Sequence, residues 1–272
     1  MSKFKSLRTA AFIISLALPT LYTIIVNYGG LYARILDLAR VIKVDWIYWL
    51  PLSMEYLVFT VLFVLTIALM HGIDGLLNFY VPISFLGIIG IIYTIDTLYP
   101  WGRFTPFQLL VPATTQLSAG LLNFIGYETS VTFITSSYYG WLPRLAAWNP
   151  KNPSMVASFG IGWPCAGIES LIVYTIIILL FLRQSSIPLK QKIAYFAIGA
   201  VITYFINILR IVTIFLIAIN KGDFMSFHDF YGQLYSITWI TSYPLIIIGS
   251  RTLWGKIKKQ SFRIGSLLIT HS

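Results

Sequence analysis

Four ionisable residues sit inside otherwise apolar runs of this chain: Glu55, Asp96, Glu169 and Arg210. In a membrane helix each costs a few kcal/mol unless it is paired or hydrated. Arg210 is the most demanding of them, because a guanidinium does not give up its proton. It must face a carboxylate, a polar cavity or a substrate. A structural ion pair with Glu55 or Glu169 would meet that need, and so would a functional site.

Counting residues brings two further groups to its level. Cys165, the one cysteine of the chain, lies 18 residues before Arg183, and Arg210 lies 18 residues after Lys192. Two antiparallel helices joined by that short basic turn would carry both about 27 Å above their inner anchors, to the outer edge of the hydrocarbon. His228 opens the next apolar run, 23 residues before Arg251, which places it about 35 Å out, roughly a turn higher. Taken singly, the cysteine reads as a small buried hydrophobe and the histidine as an interfacial anchor. Together a thiol, an imidazole and a fixed cation can supply nucleophile, base and oxyanion partner for acyl transfer. A nearby cation also favours the thiolate. His71 and His271, in an expected inner turn and in the C-terminal tail, join no such group.

These residues need membrane helices to hold them. Of 272 residues, 57% are hydrophobic and 10% charged, where a soluble domain carries about 25% charged. Mean hydropathy is +0.80. Six runs are long enough to cross a bilayer: roughly 10–28, 47–70, 76–98, 165–182, 193–220 and 232–250. Residues 106–126 are apolar but carry Gln108, Thr114, Thr115, Gln116, Ser118 and Asn123. They read as an interfacial or re-entrant helix, because a seventh crossing would put Arg183, Lys190 and Lys192 outside while Lys3, Lys5 and Arg8 hold the N-terminus inside. Trp46, Trp49, Trp101, Trp141, Trp148 and Trp163 then all fall near the outer surface, as an aromatic belt should. Residues 31–46 mix charged and apolar positions as a short amphipathic surface helix does. Residues 127–163, Thr- and Tyr-rich and then broken by Pro143, Pro150 and Pro153, read as an extracytoplasmic loop with a hairpin. The expected fold is all-α: a polytopic helical membrane protein with about six transmembrane helices, one interfacial or re-entrant helix and that loop.

The net charge of +10 fits cytoplasmic loops rather than a nucleic-acid footprint. A single cysteine excludes an internal disulfide and a Cys-based structural zinc site, and no metal or organic cofactor is expected.

At the chemistry-bearing residues the sequence resembles the exosortase/archaeosortase family of membrane-embedded cysteine transpeptidases, in its histidine variant. Pro164-Cys-Ala-Gly-Ile-Glu-Ser170 is similar to the family's Cys-(Ser/Thr)-Gly block. Asn207-Ile-Leu-Arg-Ile211 is similar to its Asn-x-x-Arg block, and Phe227-His-Asp-Phe-Tyr-Gly232 to its histidine block followed by a glycine. The resemblance covers roughly residues 106–254, a catalytic core flanked by N-terminal helices (1–105) and a basic cytoplasmic tail (255–272). An archaeal origin is expected with it. Ala166 departs from the family's hydroxyl residue, which implies slower turnover if that hydroxyl assists the reaction.

The resemblance implies a reaction on the extracytoplasmic face of the cell membrane. A secreted protein arrives with a C-terminal sorting signal: a short motif, one transmembrane helix and a basic tail. Cys165 attacks the carbonyl at the motif, His228 takes the thiol proton and returns it to the leaving amine, and Arg210 stabilises the oxyanion. Asn207 orients Arg210 or the substrate carbonyl. Glu169, one helical turn below Cys165, is the countercharge to Arg210. The acyl-enzyme passes to a lipid head-group amine or to water. Two other classes compete: a non-catalytic membrane scaffold with an inert cysteine, and a small transporter whose Arg210 binds an anionic solute. Against the transporter, the sequence shows no paired discontinuous helices.

Overall fold

The computed structural model describes residues 2–44, 47–99, 103–136 and 140–269; Trp46, Trp101 and His271 lie outside the described residues. The chain forms two compact units, Met1–Glu169 and Ser170–Ser272.

The first unit opens with α1 (Ser2–Tyr28), α2 (Leu31–Val41), α3 (Leu50–Leu76) and α4 (Tyr80–Leu98). α2 is the amphipathic helix expected: Ile35 and Ala39 are buried, while Arg40 pairs with exposed Asp37 at 2.7 Å. α3 and α4 form a hairpin that glycines allow to close, as in many membrane helix pairs. A Cβ at Gly90 would stand 2.8 Å from the Leu57 side chain, and Tyr56 stacks on Tyr93 with centroids 5.5 Å apart. Left-handed Gly72 (φ 74°) breaks α3 beside His71, where the inner turn was expected.

Two short helices follow, α5 (Thr105–Gln108) and α6 (Val111–Phe124). At 14 residues, α6 is about 21 Å long, short of a crossing. Its Thr114, Thr115 and Ser118 are fully buried, and it lies against a sheet rather than facing lipid with them.

That sheet corrects the all-α expectation. Residues expected as a loop with a hairpin form three antiparallel strands, β1 (Glu128–Ser136), β2 (Gly140–Asn149) and β3 (Asn152–Gly160), in the order β1-β2-β3. The prolines that suggested a loop stand where a sheet tolerates them. Pro150 is in the β2–β3 turn and Pro153 at the start of edge strand β3. Pro143 is in the central strand, but its carbonyl accepts the Ile161 N–H at 2.8 Å, so its own nitrogen faces the end of the β3 ladder. No interior ladder bond is lost. Leu145, Ala147 and Ala157 bury one face of the sheet. On the other, Arg144 Nε donates to Ser158 Oγ and Trp148 Nε1 to Glu128, each at 2.8 Å.

The second unit holds most of α7 (Ile168–Gln184), α8 (Leu189–Ile219), the single turn α9 (Phe224–Ser226), a π-turn at Phe227–Tyr231 and α10 (Gly232–Ile269). Tyr174, Ile178, Leu182, Ile240, Tyr243 and Ile247 form its core. α8 and α10 meet along a seam of small and polar residues. A Cβ at Gly199 would strike Tyr243 at 2.5 Å, Trp239 Nε1 donates to Thr203 at 3.0 Å, and Gly232 faces Arg210. Asn207 and Ser236 fall at the intervening step, both buried. The seam thus fixes a register in which Arg210 meets the start of α10.

Among the described residues, four helices are long and apolar enough to cross a membrane: Thr9–Tyr28, Leu50–Leu76, Tyr80–Leu98 and Leu189–Ile219. This is a membrane protein.

Candidate active site

Cys165 does not begin a helix. Residues 163–167 form a turn, and α7 starts at Ile168. Gly167 is left-handed (φ 86°), a conformation that a side chain disfavours, so the glycine of the Cys-Ala-Gly block has a backbone reason. The expected same-face relation between Cys165 and Glu169 needed a helix running through both. The left-handed glycine removes it.

The turn is held from several sides. Ala166 N–H donates to the carbonyls of Gly162 at 3.1 Å and Trp163 at 3.2 Å. Thr114 Oγ1 donates to the Ala166 carbonyl at 3.3 Å. Trp163, expected in the interfacial belt, is instead fully buried, packed on Phe107 at 5.1 Å with its indole N–H on the Tyr99 carbonyl at 3.3 Å. Ala166 is fully buried as well, and its N–H is committed inside the turn. Cys165 itself is half-buried. A small thiol thus stands on a hydrogen-bonded turn, two residues before a left-handed glycine. Gly167→Ala should cost about 1–2 kcal/mol, read as an onset of thermal unfolding a few degrees lower in detergent, and should slow labelling of the Cys165 thiol.

In the second unit the structure brings Arg210 and His228 together. Arg210 Nη2 donates to the His228 backbone carbonyl at 2.9 Å. Its partner is a carbonyl rather than a carboxylate, and among the described residues Arg210 makes no ion pair. Nε is buried without an acceptor among the described residues, so the guanidinium keeps donors in reserve. Asn207, one turn earlier on α8, is fully buried.

His228 sits in the π-turn, a feature that often marks functional sites. Its Nδ1 lies 2.8 Å from Asp229 Oδ1, and a carboxylate beside Nδ1 favours the tautomer that carries the proton there. Asp223 caps the turn leading there, accepting the Ser226 O–H at 2.5 Å and the Ser226 N–H at 3.0 Å, and these hydrogen bonds hold its carboxyl below the usual range. Beyond His228, a groove of about 520 Å³ runs along α10 past Tyr231, Leu234, Tyr235, Thr238, Trp239 and Ser242. Cys165 and Glu169 belong to the first unit, Asn207, Arg210 and His228 to the second.

Sequence reasoning passed over Asp229, Gly167 and Gly232. The first stands beside His228 and the last two are small residues inside the motifs, so motif position alone could have flagged them. Among the described residues no cluster of His, Cys, Asp or Glu could hold a metal ion.

The family model for transmembrane exosortases matches residues 15–243. That range takes in the cysteine, arginine and histidine blocks and most of the helices ahead of them. The chain belongs to the transmembrane exosortase family. The match begins well ahead of residue 106 and so also covers most of the N-terminal helices. The exosortase family is one of membrane cysteine transpeptidases that act on sorting signals of secreted proteins. No curated protein and no solved structure matches the chain.

Proposed function

We propose that this protein is a cysteine transpeptidase of the cytoplasmic membrane. It cleaves the C-terminal sorting signal of secreted surface proteins on the outer side and passes them to an amine acceptor, a lipid head group, or to water. One observation carries the reading: the family match encloses all three chemistry-bearing blocks.

In this mechanism His228 Nε2 takes the thiol proton as Cys165 Sγ bonds to the scissile carbonyl carbon. The carbonyl oxygen becomes an oxyanion, and Arg210 stabilises it through N–H groups not used on the His228 carbonyl. Collapse breaks the C–N bond, and the amine leaves with the proton from His228. The thioester then passes its acyl group to the acceptor, whose proton returns through the same imidazole. Asn207, one turn earlier on α8, supports Arg210. The committed Ala166 N–H favours a side-chain oxyanion partner over that backbone group. Six crossings complete the topology, with α7 and α10 added to the four long apolar helices. α7 has 17 residues, at the lower limit for a span, and α10 interrupts its first turns with Gln233, Ser236, Thr238 and Thr241.

The test uses the single native cysteine. A membrane-impermeant maleimide added to intact cells should label Cys165, and co-expression of a secreted protein ending in motif, helix and basic tail should protect it. In a Cys165→Ala background, a cysteine at exposed Ser186 in the α7–α8 turn should label only after the membrane is opened. Outside labelling of position 186 would contradict the topology. A thiol that substrate never protects would favour an inert cysteine in a scaffold.

A further inference from the structure

Gly232 opens α10 directly after the π-turn, with ordinary helical angles (φ −62°, ψ −31°). The backbone does not require a glycine there, and glycine is a poor helix former beside alanine. Space is the reason for it. A Cβ at this position would stand 2.6 Å from Arg210 Nε, 3.1 Å from Arg210 Cδ and 3.0 Å from the Phe227 carbonyl oxygen, where ordinary contact begins at 3.4 Å. That carbonyl is held in place, because it accepts the Gly232 N–H in the bond that closes the π-turn. The arginine would have to give way. Its Nε is buried, and its Nη2 is already fixed on the His228 carbonyl.

We propose that Gly232 is a positioning residue: its missing side chain is the slot that sets the Arg210 guanidinium beside His228. The catalytic half of this proposal rests on the role given to Arg210 above; the packing half stands without it. A displacement of about 1 Å is enough to cost on the order of a hundredfold in rate at a preorganised site.

Four full-length chains separate the two halves: wild type, Gly232→Ala, Arg210→Ala and the double variant, each purified in detergent. Gly232→Ala should lower the unfolding temperature of the wild type by a few degrees. In the Arg210→Ala background the obstructing side chain is gone and only the 3.0 Å contact with the Phe227 carbonyl remains. The same substitution should there cost clearly less, with the better helix propensity of alanine offsetting part of it. Where the single variant fails to accumulate in the membrane, the double variant must accumulate. An equal loss in both backgrounds would overturn the slot. On a substrate with motif, helix and basic tail, Gly232→Ala should cut kcat on the order of a hundredfold while KM stays within about threefold. A smaller loss in the Arg210→Ala background together with an unchanged kcat would uphold the slot and overturn the part of Arg210 in the reaction.

Discussion

Cys165→Ala is expected to leave the protein folded and inserted while stopping substrate processing, a loss on the order of 10⁶ in kcat, the scale of deleting a covalent nucleophile. Folding should survive because the turn is held by its neighbours. The bonds run through Ala166 N–H, the Ala166 carbonyl and the Trp163 indole, and the half-buried thiol gives up little packing. Cys165→Ser should retain almost nothing, since a hydroxyl is a far weaker nucleophile without a strong base. Processing of a co-expressed substrate, measured beside membrane abundance, checks both variants. Full processing by the alanine variant would return the cysteine to a packing role.

Arg210→Lys carries the second large effect. The observed partner of the guanidinium is a backbone carbonyl, and an ammonium can also donate to a carbonyl, so insertion and abundance should hold. An oxyanion partner needs the planar fork at one geometry, which lysine lacks. The barrier should therefore rise by about 2.7–4 kcal/mol, a factor of 10²–10³ in kcat, as when one oxyanion donor is lost. Turnover by purified enzyme, normalised to protein level, decides it. A lysine variant at a near-wild-type rate would mean that charge alone suffices at position 210.

The helices were legible because lipid demands long apolar runs, and those runs are the least ambiguous signal a chain carries. α2, the break beside His71 and the short α6 all stand where hydropathy and charge put them. The sheet at 128–160 was half hidden. Its Thr-rich first strand was visible, but three prolines hid the other two strands, and only the ladder shows that each proline avoids an interior bond. Cys165 is a similar case. Counting 1.5 Å per residue assumes a helix, and a single left-handed glycine turns the last three residues into a turn. The Arg210–His228 contact was legible only to within a turn, since counting residues put His228 above Arg210. The identity of the contact, a guanidinium on a backbone carbonyl rather than on a carboxylate, was not, because it depends on the π-turn and on the space left by Gly232.

The central claim is a covalent bond between substrate and Cys165. Membranes from cells co-expressing the chain with a secreted protein ending in motif, helix and basic tail can be solubilised under denaturing conditions, split with or without hydroxylamine, and digested for mass spectrometry. The account predicts a peptide containing Cys165 that carries the substrate's new C-terminus as a thioester, lost on hydroxylamine treatment and missing from the Cys165→Ala chain. Processed substrate appearing with an unmodified Cys165 peptide, or an adduct on any other residue, would contradict it.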